Sequence, residues 1–275
     1  MNILFFCTRW GSENLSWPDF LLKANDSGYD GIETSLPLDA KEQDHILNAI
    51  NKSGLKLIGQ HWDTVEPEFN KHIEEFEQRL GAMALAKPLF ITSHTGKDHY
   101  TIDQNIQLLS LAQKISSETG VPIIHETHRG KFSFAAHITK TYLEKLPWLR
   151  LTLDISHWFN VAESYLTDQP VAVELALQHT DHIHSRIGYT EGPQVNDPRC
   201  DEWRETVDHH LNCWDRVIAI QKAKEKPVFT FTSEFGPFPY MNHEIKTKNP
   251  VSDQWDINVY MKDLLKKRYN YLLQP

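Results

Sequence analysis

The chain has 275 residues, enough to bury one large core, and its 40% hydrophobic and 24% charged residues are ordinary proportions for a folded soluble protein. The net charge of −9 argues against a broad nucleic-acid-binding surface, which normally needs a basic stripe. No apolar run approaches the roughly 20 residues that a membrane helix needs. Neither nucleic acid nor a membrane is therefore an expected partner.

The start of the chain and its cysteines bear on the compartment. Residues 1–7 lack the positively charged segment of a signal peptide and are better explained as a first strand. Cys7, Cys200 and Cys213 are odd in number and widely spaced, without a CxxC pair. Such cysteines are typical of reduced thiols, so we expect a cytoplasmic protein.

Strands and helices alternate through the first half of the chain. Apolar residues predict a first strand over 2–8, and helical spacing predicts a helix over 16–27 that stops at Gly28. Thr101 and Gln104 have the spacing of a capping box and mark the start of a fourth helix. Between the first helix and the fourth, the sequence predicts strand 29–33 with helix 40–53, strand 55–61 with helix 67–86, and strand 88–93.

The alternation continues to the end of the chain. Strands are predicted at 121–126, 150–154, 181–184 and 228–234, and helices at 131–146, 158–179, 201–224 and 252–273. Because no linker divides the chain, we expect residues 1–275 to form a single α/β domain, a (β/α)8 TIM barrel of the usual ~250 residues. A doubly wound open sheet is the alternative, but no GxGxxG motif follows the first strand to support a dinucleotide site.

Four of the predicted strands, from 121–126 onward, end on residues that bind divalent metals. These residues are Glu126, Asp154, His184 and Glu234. The carboxyl ends of parallel barrel strands meet at one mouth, so the four side chains are expected to converge there. Alternation along the strands supports this, because Glu234 shares a strand face with Thr232 and not with the neighbouring phenylalanines.

Two glutamates, an aspartate and a histidine make an oxygen-rich ligand set. It suits Mn²⁺, Mg²⁺ or Co²⁺ better than a structural zinc, and buried without a cation the carboxylates would repel one another. We expect one divalent ion, Mn²⁺ first, with Mg²⁺, Co²⁺ or Zn²⁺ as alternatives. His182 points to the same strand face as His184, so either could be the ligand; His184 is preferred because it is nearer the strand end.

Six short segments, in their order and spacing, resemble a known family. They are 28–33 (GYDGIE), 93–96 (SHTG), 125–126 (HE), 153–157 (LDISH), 182–184 (HIH) and 233–236 (SEFG). Together they resemble the xylose-isomerase-like TIM-barrel superfamily of sugar isomerases, epimerases and dehydratases, which also contains the endonuclease IV type of DNA-repair enzymes. The resemblance covers nearly the whole chain.

The resemblance implies roles for individual residues. Glu126, Asp154, His184 and Glu234 would hold the metal, and Glu126 and Glu234 would also be the catalytic acid/base pair on opposite faces of a bound sugar. His157 would contact a substrate oxygen, and Glu33, His61 and His94 would lie in the substrate site. His61 and His94 match two endonuclease IV histidine positions in kind, but the family's Asp-x-His pair is replaced here by Asp197-Pro-Arg199.

Arg186 stands where the family often has Lys-Asp, two residues after the ligand histidine. It either holds a substrate carboxylate or phosphate, or pairs with an acidic neighbour. The expected function is thus a metal-dependent sugar or sugar-acid isomerase or epimerase with a small-molecule substrate, and many such barrels are homo-oligomers. The alternatives are an inosose-type dehydratase, an endonuclease IV-like enzyme and a non-catalytic metal- or sugar-binding barrel. His72 and His210, on predicted helices, are expected to face solvent.

Overall fold

The computed structural model describes residues 1–272, with side chains described as far as residue 269. Eight parallel strands pair in sequence order, and β8 pairs with β1 to close the barrel. The strands are β1 Asn2–Thr8, β2 Gly31–Thr34, β3 Lys56–His61, β4 Ile91–Ser93, β5 Ile123–Glu126, β6 Leu151–Leu153, β7 Thr180–His184 and β8 Val228–Ser233. The predicted (β/α)8 TIM barrel is confirmed.

Helices connect the strands on the outside of the barrel. They are α1 Trp17–Asp26, α2 Ala40–Ser53, α3 Phe69–Leu85, α4 Ile102–Thr119, α5 Ala136–Lys145, α6 Ile155–Ala162, α7 Pro170–Gln178, α8 Arg204–Ala223 and α9 Gln254–Leu272. The capping box of Thr101 and Gln104 is present at the start of α4. No helix within residues 1–272 is long and apolar enough to cross a membrane.

The helix predicted over 158–179 is wrong in its extent. Two helices, α6 and α7, occupy this region, and α6 begins directly after Asp154. Glu163 and Leu166 have left-handed backbone conformations between the helices, with φ of 48° and 61°. Pro170 then starts α7, because proline fits the first turn of a helix but not its interior.

The two faces of the strands differ in chemistry. On β8, Phe231 points outward and stacks on Tyr269 of α9 at 5.4 Å between ring centroids. Thr232, the next residue, points into the barrel and donates a hydrogen bond to Glu33 of β2 at 2.5 Å. The alternation therefore places an apolar layer beneath the helices and polar side chains inside the barrel.

The expectation that His72 and His210 face solvent is wrong, since both are buried. In α8, the His210 ring packs edge-on against Phe159 at 4.9 Å. Its Nδ1 lies 2.9 Å from the Thr206 carbonyl, and its Nε2 accepts a hydrogen bond from the Gly188 N–H. His210 thus joins the inner side of α8 to the segment that follows β7.

Candidate metal centre and substrate cavity

The four expected metal ligands lie together at the mouth of the barrel. Glu126 and His184 are the last residues of β5 and β7, and Asp154 and Glu234 directly follow β6 and β8. All four are buried, and one ligand atom from each lies within 4.8 Å of the others. Asp154 also caps α6 by accepting the Ser156 N–H at 3.0 Å, which fixes its carboxylate.

The two histidines of β7 have different environments. His184 Nε2 lies 3.0 Å from Glu33 Oε1, whereas its buried Nδ1 has no hydrogen-bond partner among the described residues. Glu234 Oε2 and Glu126 Oε2 lie 3.0 Å and 3.4 Å from that Nδ1, but neither is aligned to accept a hydrogen bond from it. Both ring nitrogens of His182 are engaged, Nδ1 by Thr230 and Nε2 by Glu33. The geometry favours His184 as the ligand.

The charges around His184 oppose the effect of its burial. Burial by itself favours the neutral ring, but Glu234, Glu33 and Glu126 outweigh it and raise the pKa of His184 well above its usual value. The His184 Nδ1 position is therefore strongly attractive to a positive charge. A carboxylate that fixes the far nitrogen of a histidine is also a common arrangement behind metal-binding histidines.

Arg186 pairs with an acidic neighbour, which was one of its two expected roles. Its guanidinium donates to Asp154 and lies 3.9 Å from Glu234 Oε2. Burial raises the pKa of Asp154 to about 6; Arg186 opposes this shift, whereas Glu126 and Glu234 add to it. The three carboxylates therefore repel one another, and Arg186 offsets only part of that repulsion.

Three histidines form a row between Glu126 and Arg186. His94 Nε2 lies 2.6 Å from Glu126 Oε2, and the His94 ring is 4.5 Å from the ring of His128. His128 in turn lies 4.0 Å from His157, whose Nε2 is 2.7 Å from Arg186 Nη2. Burial lowers the pKa of His128 and of His157 well below the usual value. His94 and His128 line the cavity, and His157 lies behind them as a buried support for Arg186.

A cavity of about 770 Å³ opens above these groups. Sequence reasoning missed several of its residues, which include Gln60, His128, Lys131 and Tyr240. Gln60 Nε2 donates to Glu234 Oε1 at 2.8 Å, and Tyr240 covers the guanidinium of Arg186 at 4.8 Å. Gln60 has a signal in the sequence, because it is an inward-facing position near the end of β3.

The structure does not bring His61 to the cavity. His61 points toward the helices, with Nδ1 2.8 Å from Ser93 Oγ and Nε2 2.7 Å from Thr64 Oγ1. The reason is the two-residue period of β3, which points His61 outward when Gln60 points inward. Glu33 does reach the cavity, but its carboxylate is engaged by the β7 histidines and Thr232.

Several solved structures share the fold of this chain. A probable 3-DHS dehydratase from Bacillus anthracis has a TM-score of 0.61 at 17% identity, covering 97% of this chain and 99% of its own. A 3-keto-D-glucoside 4-epimerase from E. coli scores 0.63 at 11% identity, covering 97% and 100%. Endonuclease IV from Thermus thermophilus scores 0.56 at 12% identity, covering 97% and 100%. At these identities, the likeness establishes the fold alone.

Sequence comparison gives the family. A search of curated proteins finds no match to the chain. The family model of the xylose isomerase-like TIM barrel matches residues 21–215, which is more than half of the chain. The chain therefore belongs to the xylose isomerase-like TIM barrel family.

Proposed function

We propose that this protein is a divalent-metal-dependent isomerase or epimerase of a sugar or sugar acid. One observation carries the proposal: at the floor of an open cavity, His184 Nδ1 forms no aligned hydrogen bond and lies among the buried carboxylates of Glu126, Asp154 and Glu234. Such an arrangement fits a bound cation better than a structural ion-pair network, because a network would align one of the carboxylates to accept a hydrogen bond from that nitrogen.

The donor set fits a hard divalent ion. Glu126, Asp154 and Glu234 supply oxygen, and His184 supplies one nitrogen that Glu33 orients from behind. Mn²⁺ is the proposed ion, with Mg²⁺, Co²⁺ and Zn²⁺ as alternatives. When bound, the cation would act as a Lewis acid toward a substrate oxygen next to the reacting carbon.

Glu126 and Glu234 would be the two carboxylates that transfer protons. Glu126 projects from β5 and Glu234 from the end of β8, so a sugar carbon held between them has a carboxylate on each face. His94 contacts Glu126, and Gln60 donates to Glu234, which fixes both groups. Burial opposes ionisation of Glu126, but His94 and His184 outweigh it and lower its pKa well below the usual value.

The reaction then follows from the position of the carboxylates. One carboxylate takes the proton from the carbon next to a carbonyl, and the electron pair of the C–H bond moves toward that carbonyl to give an enediolate. If the other carboxylate, in its protonated form, donates a proton to the opposite face, the carbon is inverted, which is epimerisation. If the first carboxylate returns its proton to the neighbouring carbon and the hydroxyl proton moves to the other oxygen, the product is an isomerised carbonyl sugar. Arg186 and Tyr240, which line the cavity, would hold the substrate between the two carboxylates.

Hydrogen exchange at carbon tests this function. The protein is incubated in D₂O with a panel of ketoses, hydroxypyruvate and inososes, and deuterium incorporation is followed by NMR. Glu234→Gln should stop exchange, whereas Glu42→Gln, which changes an exposed carboxylate on the same cavity, should leave it intact. Exchange that continues at the wild-type rate in Glu234→Gln removes that residue from the mechanism.

A dehydratase on the same site is the second candidate. His94, which contacts Glu126 and lies beside the ring of His128, would be the group that protonates a leaving hydroxyl. Loss of water from an inosose in the same NMR assay would identify this outcome. The endonuclease alternative has less support, because His61 lies outside the cavity. A barrel that binds metal without turnover would show binding but no exchange with any substrate.

A further inference from the structure

Lys131 is a buried lysine in the substrate cavity. It lies between β5 and α5, it is only 8% exposed, and it lines the cavity together with His94 and Glu126. Its side chain lies within hydrogen-bonding reach of Lys97, which follows β4. Among the described side chains, no carboxylate oxygen lies within 4.0 Å of the amino group of either lysine, so neither forms an ion pair.

Two neighbouring amino groups repel each other, and the charges of Glu126 and Asp98 offset the unfavourable burial of Lys131 only in part. Burial, reinforced by the charge of Lys97, lowers the pKa of Lys131 to about 8. The backbone nevertheless fixes both residues. Lys97 N–H donates to Asn105 Oδ1 at 3.2 Å, its carbonyl accepts from Asn105 Nδ2 at 3.0 Å, and Lys131 N–H donates to the His128 carbonyl at 3.1 Å. These bonds fix the backbone of both residues, so that Lys131 lines the cavity with Lys97 beside it.

Three other cations lie near the site, and Arg9, on the β1 side of the mouth, donates to the Leu15 carbonyl at 2.8 Å. Arg186 donates to Asp154 and contacts His157. Arg129 lies 3.2 Å from His157 Nδ1 and stacks over Tyr240. On the β4–β5 side of the mouth the lysine pair thus remains for an anionic group of the ligand. An oxyanion between the two ammonium groups would offset both their burial and their mutual repulsion.

We propose that Lys97 and Lys131 form a subsite for an oxyanion of the substrate, either a carboxylate or a phosphate group. The inference rests on the proposed function for the identity of the cavity, and it narrows the substrate class from sugars in general to sugar acids or sugar phosphates. The oxyanion lies on the β4–β5 side of the mouth, and the reacting carbon lies between Glu126 and Glu234.

Binding of inorganic phosphate tests the subsite without any need for turnover. Calorimetric titrations use the full chain in EDTA, so that a metal cannot bind the anion. Lys131→Met and Lys97→Met should each weaken phosphate binding at least about tenfold, the loss expected for a hydrogen bond between charged groups. Lys114→Met, at an exposed position on α4, is the matched control and should bind like the wild type.

Three sugars separate the two oxyanions. Tighter binding of D-gluconate than of D-glucose assigns a carboxylate, and tighter binding of D-glucose 6-phosphate assigns a phosphate. In either case the preference should disappear in Lys131→Met. Equal binding of all three sugars, or a preference that survives in both lysine variants, overturns the subsite. Because Lys97 is only half-buried, Lys97→Met keeps the test valid if Lys131→Met does not fold.

The two proposals fail in different ways. Loss of the subsite leaves metal binding and carbon–hydrogen exchange intact, because Asp154, His184 and the two glutamates are unchanged in the lysine variants. Failure of the proposed function leaves lysine-dependent phosphate binding in EDTA intact.

Discussion

Glu33→Gln tests how the barrel interior orients the proposed metal ligand. Glu33 is fully buried on β2, and its two oxygens lie 3.0 Å from His184 Nε2 and 3.3 Å from His182 Nε2. It also accepts a hydrogen bond from Thr232 Oγ1 at 2.5 Å. Burial opposes ionisation of Glu33, but His184 and hydrogen bonds from both histidines outweigh it and lower its pKa below the usual value.

The magnitude follows from what an amide cannot do at this position. The glutamine side chain would keep the shape of Glu33 but lose the charge, and its amide nitrogen cannot accept a hydrogen bond. The amide nitrogen of the glutamine would then face neighbouring hydrogen-bond donors with a donor of its own. The His184 ring would therefore be held less firmly. Substitutions behind a metal ligand typically cost about 10- to 100-fold in affinity, or about 1.4–2.7 kcal/mol.

Calorimetric titration with Mn²⁺ measures this loss. The dissociation constant should rise about 10- to 100-fold in Glu33→Gln and stay at the wild-type value in Glu42→Gln, an exposed carboxylate at the same cavity. Circular dichroism confirms that both variants fold. An unchanged dissociation constant in folded Glu33→Gln would refute the idea that Glu33 orients His184.

Three further substitutions test the fold around the site. Burial lowers the pKa of His210 from 6.5 to about 4, so its stabilisation is present above pH 6.5 and is lost as the pH falls toward 4. Urea unfolding of His210→Gln should therefore lose about 3 kcal/mol of this pH dependence; an unchanged dependence would contradict it. A Cβ at Gly31 would lie 2.5 Å from the Lys56 carbonyl, so Gly31→Ala should lower the free energy of unfolding by about 1–3 kcal/mol. Gly81→Ala, in open space on α3, should raise it by about 0.5–1 kcal/mol.

The barrel was predictable because its signals are local. Apolar runs bounded by glycine and alternating with helical patterns predict βα units, and the capping box at Thr101 fixes the start of α4. The break between α6 and α7 also has a local signal in Pro170. The burial of His210 has no such signal, because it depends on which side of α8 meets the segment after β7.

The candidate site was partly predictable for the same reason. Strand ends and side-chain alternation suffice to place Glu126 and Glu234 on one mouth. The same alternation, applied to β3, would have replaced His61 by Gln60. The contact between His184 and Glu33 links β7 to β2 across the barrel. The spacing of residues in the sequence does not reveal such a contact.

The central claim is that the four strand-end residues hold a divalent metal. Elemental analysis of the purified protein tests it most directly, together with thermal unfolding in EDTA and in added Mn²⁺. We predict about one divalent ion per chain, a higher unfolding temperature in Mn²⁺, and loss of both in Asp154→Asn. A wild-type protein that carries no metal and unfolds at the same temperature with and without Mn²⁺ would contradict the account.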